Sequence, residues 1–124
     1  MSKVRIGVVG CGAIAQVQHV PNLLELDEQF EVPIVCDGLP GQAAYLAKRF
    51  NIERSVSDVD ALLAADIDAV LLCHADPKTE VAVKAFAAGK HVLIEKPVCL
   101  TLEEVDELVA AQAAAGTVGQ AAYM

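Results

Sequence analysis

The sequence that decides the fold is VRIGVVGCGAIA, residues 4–15. It runs from a short apolar strand into a glycine turn of the form G-x-G-x-x-A, and then into a helix. Gly10 permits the tight turn, and Gly12 lets the backbone approach a bound phosphate because it has no Cβ. The small Ala15 lets the helix pack close to the strand. The order of strand, turn and helix therefore predicts a socket for the pyrophosphate of a dinucleotide.

The start of this helix supplies the attraction for an anion. Backbone N–H groups around Ala13 and Ile14 have no partner within the helix, and the helix dipole places a partial positive charge there. We expect both residues to contact a bound pyrophosphate. The alternative is a tight turn between strand and helix in an α/β domain that binds no ligand.

Length and composition favour one compact α/β unit. The 124 residues suit one domain, and a 55% hydrophobic content with only 4% aromatic residues indicates a core of Val, Leu, Ile and Ala. Buried parallel strands covered by Ala-rich helices have this composition. The net charge of -8 and the pI near 4.7 argue against nucleic acid or an anionic membrane surface as a partner.

Other signals exclude further classes of protein. The first apolar run is interrupted by Gly7 and Gly10, which is not typical of a signal peptide, and no segment approaches the ~20 apolar residues of a membrane span. We therefore expect a soluble, cytoplasmic protein. The four cysteines form no C-x-x-C pair and no ligand-like spacing with the three histidines, so we expect reduced thiols and no metal site.

Strand and helix patterns alternate along the chain. The predicted strands are 4–9, 31–36, 54–56, 68–73, 91–95 and 117–123, and the longer predicted helices are 13–26, 40–50, 77–88 and 102–115. We expect Ser57, Asp76 and Thr101 to cap the helices that follow them, and Gly89 and Gly116 to end helices. This alternation predicts a doubly wound parallel α/β sheet of the Rossmann type, which binds ligands beyond the carboxyl ends of its strands.

Asp37 closes the second predicted strand, 25 residues after Gly12. A carboxylate at this place accepts hydrogen bonds from the ribose hydroxyls of adenosine and repels a 2′-phosphate. The next four residues, 38–41, contain no Arg or Lys. The sequence therefore favours NAD over NADP as cofactor. The alternative is that Asp37 only turns the loop, which aspartate does well.

Four segments, taken in order, resemble a known family. They are the G-x-G-x-x-A turn, His19-Val20-Pro21, Cys36-Asp37 and GKHVLIEKP at residues 89–97. Together they resemble the amino-terminal half of the glucose-fructose oxidoreductase, inositol dehydrogenase and rhizopine-catabolism (Gfo/Idh/MocA) family. The resemblance implies an NAD(P)-dependent oxidoreductase that acts on sugars, cyclitols or related hydroxyl compounds.

The resemblance also implies roles for residues after the fourth and fifth strands. Lys96 would lie beside the nicotinamide and the reacting hydroxyl, where a cation stabilises charge on the substrate oxygen and helps to relay its proton. Glu95 and Pro97 would lie at the cofactor edge, with Lys96–Pro97 often cis in this family. Cys73 and His74 would line the nicotinamide ribose. The alternative for Lys96 is an ordinary surface lysine.

The chain departs from the family pattern in two ways. The family usually has Thr-Pro after the fourth strand, whereas this chain has His74-Ala75, which leaves the role of His74 open. Family members also carry a second domain that supplies most of the substrate pocket and a catalytic histidine. We therefore expect residues 1–124 to be a fragment of a longer, homo-oligomeric enzyme with a sugar-like substrate, and to be inactive in isolation.

Two other functions remain open from the sequence. The first is a stand-alone NAD-binding or sensing module without catalysis. The second is a different two-domain reductase with a similar first half, against which the Glu95-Lys96-Pro97 block argues. The identity of the substrate is not encoded in this part of the chain.

Overall fold

The computed structural model describes residues 2–75 and 78–122, which alternate between strand and helix as predicted. The strands are β1 Val4–Val9, β2 Phe30–Cys36, β3 Arg54–Val56, β4 Ala69–Leu72, β5 His91–Glu95 and β6 Gly119–Ala122. The helices are a π-helical stretch Ala15–His19, α1 Val20–Glu25, α2 Pro40–Phe50, α3 Val59–Leu63, α4 Lys78–Ala87 and α5 Leu102–Ala115.

The strands form a parallel sheet with the order β3-β2-β1-β4-β5-β6. This is the doubly wound order, in which β2 and β3 are added on one side of β1, and β4, β5 and β6 on the other. The strand order therefore reverses between β1 and β4. The carboxyl ends of the central strands are level, because Val9 pairs with both Cys36 and Leu72, and Leu72 pairs with Ile94. The loops that follow these strands therefore meet at one edge, and the predicted fold class is confirmed.

Each face of the sheet has its own apolar core. Val8, Val20 and Leu46 are fully buried on the face covered by α1 and α2, whereas Leu62 and Leu72 are fully buried on the face covered by α3, α4 and α5. Each such side chain contributes about 1.5–3 kcal/mol relative to leaving it exposed. Helices therefore pack against both faces of the sheet.

Among the described residues, the structure confirms one predicted helix cap and corrects another. Thr101 caps α5 by accepting the Glu104 N–H at 3.2 Å, and Gly116 follows α5 with a φ of 72°. The prediction that Ser57 caps α3 is wrong, because Asp58 has the extended backbone of a cap and accepts the Asp60 N–H at 3.2 Å. The cap expected at Asp76, like Pro77 and the Tyr123 end of the last predicted strand, lies outside the described residues.

The predicted helix 13–26 is confirmed in place but not in form. It is helical over 13–25, and its middle is the π-helical stretch Ala15–His19. The Val20 N–H closes this wider turn by donating to the Ala15 carbonyl. The apolar periodicity of a single sequence does not distinguish such a turn from an ordinary helical one.

Candidate dinucleotide-binding site

Gly10 lies where the glycine turn crosses the end of β4. Its φ is 95°, and a Cβ added there would lie 2.6 Å from His74 Cα and 2.8 Å from the Cys73 carbonyl carbon. The Gly10 N–H donates to the Cys36 carbonyl at 2.8 Å, which ties the turn to the end of β2. Glycine is therefore required by the fold at this position, both for its backbone conformation and for its closeness to β4.

Gly12 is glycine for a different reason. Its φ is not positive, and a Cβ added there would have Gln42 Nε2, 3.8 Å away, as its nearest neighbour. The fold would accept a side chain at Gly12, so the open space beside it is available to a ligand. Ala13 and Ile14 are exposed in the first turn of the helix that follows. This open cradle at a helix start fits a pyrophosphate group.

Asp37 holds the glycine turn and its own loop together. Its Oδ2 accepts the Cys11 N–H at 2.9 Å, and its Oδ1 accepts the Leu39 N–H at 2.9 Å. The loop-turning role considered for Asp37 is therefore present in the structure. Each carboxylate oxygen has two lone pairs, so both oxygens keep capacity for the ribose hydroxyls.

Two glutamines complete the support of the glycine turn. The Cys11 carbonyl accepts Gln16 Nε2 at 2.8 Å and Gln42 Nε2 at 3.1 Å. Arg49 in turn donates to Gln16 Oε1 at 3.4 Å. Sequence analysis missed Gln16 and Gln42. Each is an amide residue in the first turn of the helix that follows β1 or β2, and this position is a signal that the sequence contains. The turn is thus fixed before any ligand binds.

A cleft of about 330 Å³ opens beside Asp37, on the side of β3 and α4. Its size lies at the lower end of small-molecule sites. Three predicted site residues, Gly10, Asp37 and His74, line it together. Ser57 and Asp58, which follow β3, also line it and were missed by sequence analysis as site residues. The cleft is where a nucleoside attached to the pyrophosphate would extend.

The predicted catalytic segment lies further along the same edge, after β5. Lys96 is exposed, and among the described residues its ammonium makes no ion pair. The Lys96–Pro97 bond is cis, as the family resemblance implied. The Pro97 carbonyl accepts the ammonium of Lys78 at 2.8 Å, and Lys78 is only 3% exposed. A buried lysine on α4 therefore anchors the turn that presents Lys96.

Glu95 is held by two donors. Its Oε1 lies 2.8 Å from His19 Nε2, and its Oε2 accepts the Lys96 N–H at 2.7 Å. The hydrogen bond from His19, with a smaller contribution from the Lys96 N–H, lowers the pKa of Glu95. Glu95 is therefore a carboxylate at neutral pH, and it faces the glycine-turn helix.

The cysteines at this edge are structural thiols. Burial raises the pKa of Cys11 and of Cys73 to about 12 and that of Cys36 to about 11. They are protonated at neutral pH, so they are poor nucleophiles and fill space as small apolar residues. Among residues 2–75 and 78–122, no His, Cys, Asp or Glu cluster could hold a metal ion, and no helix could cross a bilayer.

The fold and the site together define a class of protein. A glycine turn with one open position, a carboxylate after β2 and an adjoining cleft at the carboxyl edge of a doubly wound sheet are the parts of a dinucleotide-binding domain. The model of the Gfo/Idh/MocA oxidoreductase family, NAD-binding Rossmann fold, matches residues 4–123. The chain belongs to this family.

The chain is similar in sequence and in structure to dehydrogenases and reductases. Inositol 2-dehydrogenase of Pseudomonas savastanoi pv. phaseolicola is 37% identical over 115 residues, which are 90% of this chain and 34% of that protein. The chain thus spans about a third of the length of this curated relative.

The fold of this chain is also similar to solved structures of a dehydrogenase and a ketoreductase. The WlbA dehydrogenase of Chromobacterium violaceum, in complex with NADH and UDP-GlcNAcA, matches with a TM-score of 0.91 and 29% identity over 97% of this chain and 35% of that one. The 3-ketoreductase KijD10 of Actinomadura kijaniata, in complex with NADP, matches with a TM-score of 0.88 and 31% identity over 97% of this chain and 38% of that one.

Proposed function

We propose that this chain is the cofactor-binding part of a longer NAD-dependent oxidoreductase that transfers a hydride between the nicotinamide and a hydroxyl or carbonyl of a cyclitol, sugar or related compound. The observation that carries the proposal is the Asp37 carboxylate, which accepts the Cys11 N–H of the glycine turn at 2.9 Å and lies beside an open cradle and a cleft. Two similar proteins support the substrate class, since one is an inositol 2-dehydrogenase and the other, the WlbA dehydrogenase, is in complex with UDP-GlcNAcA.

The chain offers a contact for each part of the cofactor. The pyrophosphate would lie over Gly12, with the N–H groups of Ala13 and Ile14 as donors. Asp37 would accept the adenosine ribose hydroxyls, and the cleft beside it would take the adenine. Cys73, which lies past β4 between the glycine turn and Glu95, would line the nicotinamide ribose, as would His74.

The charge of Asp37 supports the choice of NAD over NADP. A 2′-phosphate would be placed against the Asp37 carboxylate, which already accepts two backbone N–H groups, and two anionic groups at this distance repel each other. Similar proteins include complexes with NADH and with NADP, so the residue after β2 is where we expect the choice to be made.

Lys96 would act on the substrate. The bound nicotinamide supplies the carbon that exchanges a hydride with the substrate. The exposed Lys96 ammonium would hold the substrate oxygen and stabilise the negative charge that develops on it. In a proton relay, the ammonium would release one of its own protons to solvent or to a base outside this chain and take up the hydroxyl proton in its place.

An assay of the complete gene product tests this function. We expect NADH formation to depend on an added cyclitol or sugar, and Lys96→Ala to lower kcat/KM by ~100-fold. Lys48→Ala is the matched control, because Lys48 is an exposed lysine on α2, away from the site. A gene product that binds NAD but reduces none of it with any polyol would contradict the proposal and leave a binding module.

A further inference from the structure

The π-helical stretch has a clear packing cause. Ala15 and Val20 are both fully buried against the sheet although they are five residues apart. In an ordinary α-helix, residues five apart point about 140° away from each other, so only one of them could face the sheet. The wider turn lets both pack there. Single π-turns inside helices are frequently found at functional sites.

His19 is the last residue of the π-helical stretch and is half-buried. His19 Nε2 lies 2.8 Å from Glu95 Oε1, and the two side chains are only 18% and 14% exposed. The residues are 76 positions apart in sequence. His19 belongs to the helix after β1, and Glu95 ends β5, so the contact passes over the end of β4 between them.

Glu95 passes this contact on to Lys96. Its second oxygen accepts the Lys96 N–H at 2.7 Å, so one carboxylate joins the helix of the glycine turn to the backbone of Lys96. On the far side of Lys96, the ammonium of Lys78 holds the Pro97 carbonyl at 2.8 Å. The Lys96 side chain is exposed, whereas its backbone is held by hydrogen bonds at the Lys96 N–H and at the Pro97 carbonyl.

We propose that His19 is a positioning residue that acts through Glu95 to hold the Lys96 turn at a set distance from the pyrophosphate cradle. This inference rests on the proposed function, since it assigns the nicotinamide end of the cofactor to that turn. The arrangement predicts that loss of His19 weakens contacts with the nicotinamide ring and leaves those with the ADP-ribose part of the cofactor unchanged.

The direct test compares two ligands that differ by the nicotinamide. NADH and ADP-ribose are titrated into the wild-type chain, His19→Leu and His19→Gln, the last keeping a donor toward Glu95. We expect the wild type to bind NADH more tightly than ADP-ribose. His19→Leu should lose ~10-fold in NADH affinity with ADP-ribose affinity unchanged, and His19→Gln should recover most of the loss. Equal weakening of both ligands, or no change for either, would overturn the proposal.

A second measurement separates this proposal from the proposed function. Hydrogen exchange of the Lys96 amide is followed by NMR in the three chains without ligand. We expect ~10-fold faster exchange in His19→Leu and near-wild-type exchange in His19→Gln, with the Val92 amide of β5 as the folding reference. Unchanged Lys96 exchange in a folded His19→Leu refutes the positioning role. Absent binding of both ligands to the wild type, with the exchange effect present, refutes the proposed function alone.

If His19→Leu does not fold, Glu95→Gln takes its place. The amide of this variant keeps one acceptor oxygen but removes the charge, so it cannot hold both His19 and the Lys96 N–H as the carboxylate does. Faster Lys96 exchange is expected in Glu95→Gln, and wild-type exchange there would count against the proposal.

Discussion

Substitution of the two glycines in the turn by alanine separates what the fold needs from what the ligand needs. At Gly10, alanine must adopt a φ of 95° and place its Cβ 2.6 Å from His74 Cα. The left-handed backbone costs about 1–2 kcal/mol. Forcing backbone atoms apart in a packed region costs about 1–3 kcal/mol more. We therefore expect Gly10→Ala to lower the free energy of unfolding by about 2–5 kcal/mol.

Gly12→Ala is expected to behave in the opposite way. The nearest atom to its new Cβ is 3.8 Å away, and the backbone there suits an L residue. Such a change stabilises a protein by about 0.4–1 kcal/mol, because the unfolded chain loses freedom. The same Cβ fills the space assigned to the pyrophosphate. We expect NADH affinity to fall by at least ~10-fold, or about 1.4 kcal/mol.

Urea unfolding followed by circular dichroism measures the first effect, and titration of NADH fluorescence measures the second. Each variant serves as the control for the other, since the same substitution is made at two glycines that lie two residues apart in one turn. A Gly12→Ala chain that is destabilised by more than ~2 kcal/mol, or that binds NADH like the wild type, would refute the assignment of Gly12 to the ligand. Wild-type stability in Gly10→Ala would refute the packing argument.

Two further predictions concern stability alone. Asp58→Ala should lower the free energy of unfolding by about 1 kcal/mol because it removes the cap of α3. Ser57→Ala should change it by less than about 0.5 kcal/mol. Urea unfolding of both variants measures these changes, and a larger loss in Ser57→Ala than in Asp58→Ala would contradict the structure. The lowered pKa of Glu95 means that its ionised form stabilises the fold above the unfolded pKa near 4.5, and that this contribution is lost as the pH falls through the lowered value. The wild type should therefore exceed Glu95→Gln in stability most at neutral pH and progressively less in acid, and a gap that widens in acid would contradict it.

Local sequence signals predicted the elements that position the site. β1 at Val4–Val9 and β5 at His91–Glu95 have the predicted bounds. Each is a mainly apolar run, and Gly10 follows the first whereas Lys96-Pro97 follows the second. Asp37 is likewise found after β2, beside the cradle. Strand, turn and helix follow one another in the chain, so neighbouring residues carry enough information to predict them.

Contacts between distant segments were not predicted. The contact between His19 and Glu95 follows a π-helical turn in which Ala15 and Val20 both pack against the sheet. That sheet is built from strands far apart in the sequence, so local patterns do not predict the turn. The error at Ser57 has a different cause, since Ser57 and its neighbour Asp58 are both good caps. The choice between adjacent caps depends on where the chain leaves β3, which is set by strand pairing and not by local preference.

The role of Asp37 is tested most directly by calorimetric titration of the chain with NAD and NADP. The wild type should bind one NAD per chain and bind NADP at least ~10-fold more weakly, since the 2′-phosphate meets the carboxylate. Asp37→Asn keeps the size and one acceptor oxygen but removes the charge, so it should bind NAD less well and lose most of the preference. Tighter binding of NADP than of NAD by the wild type, or binding of neither, would contradict the account.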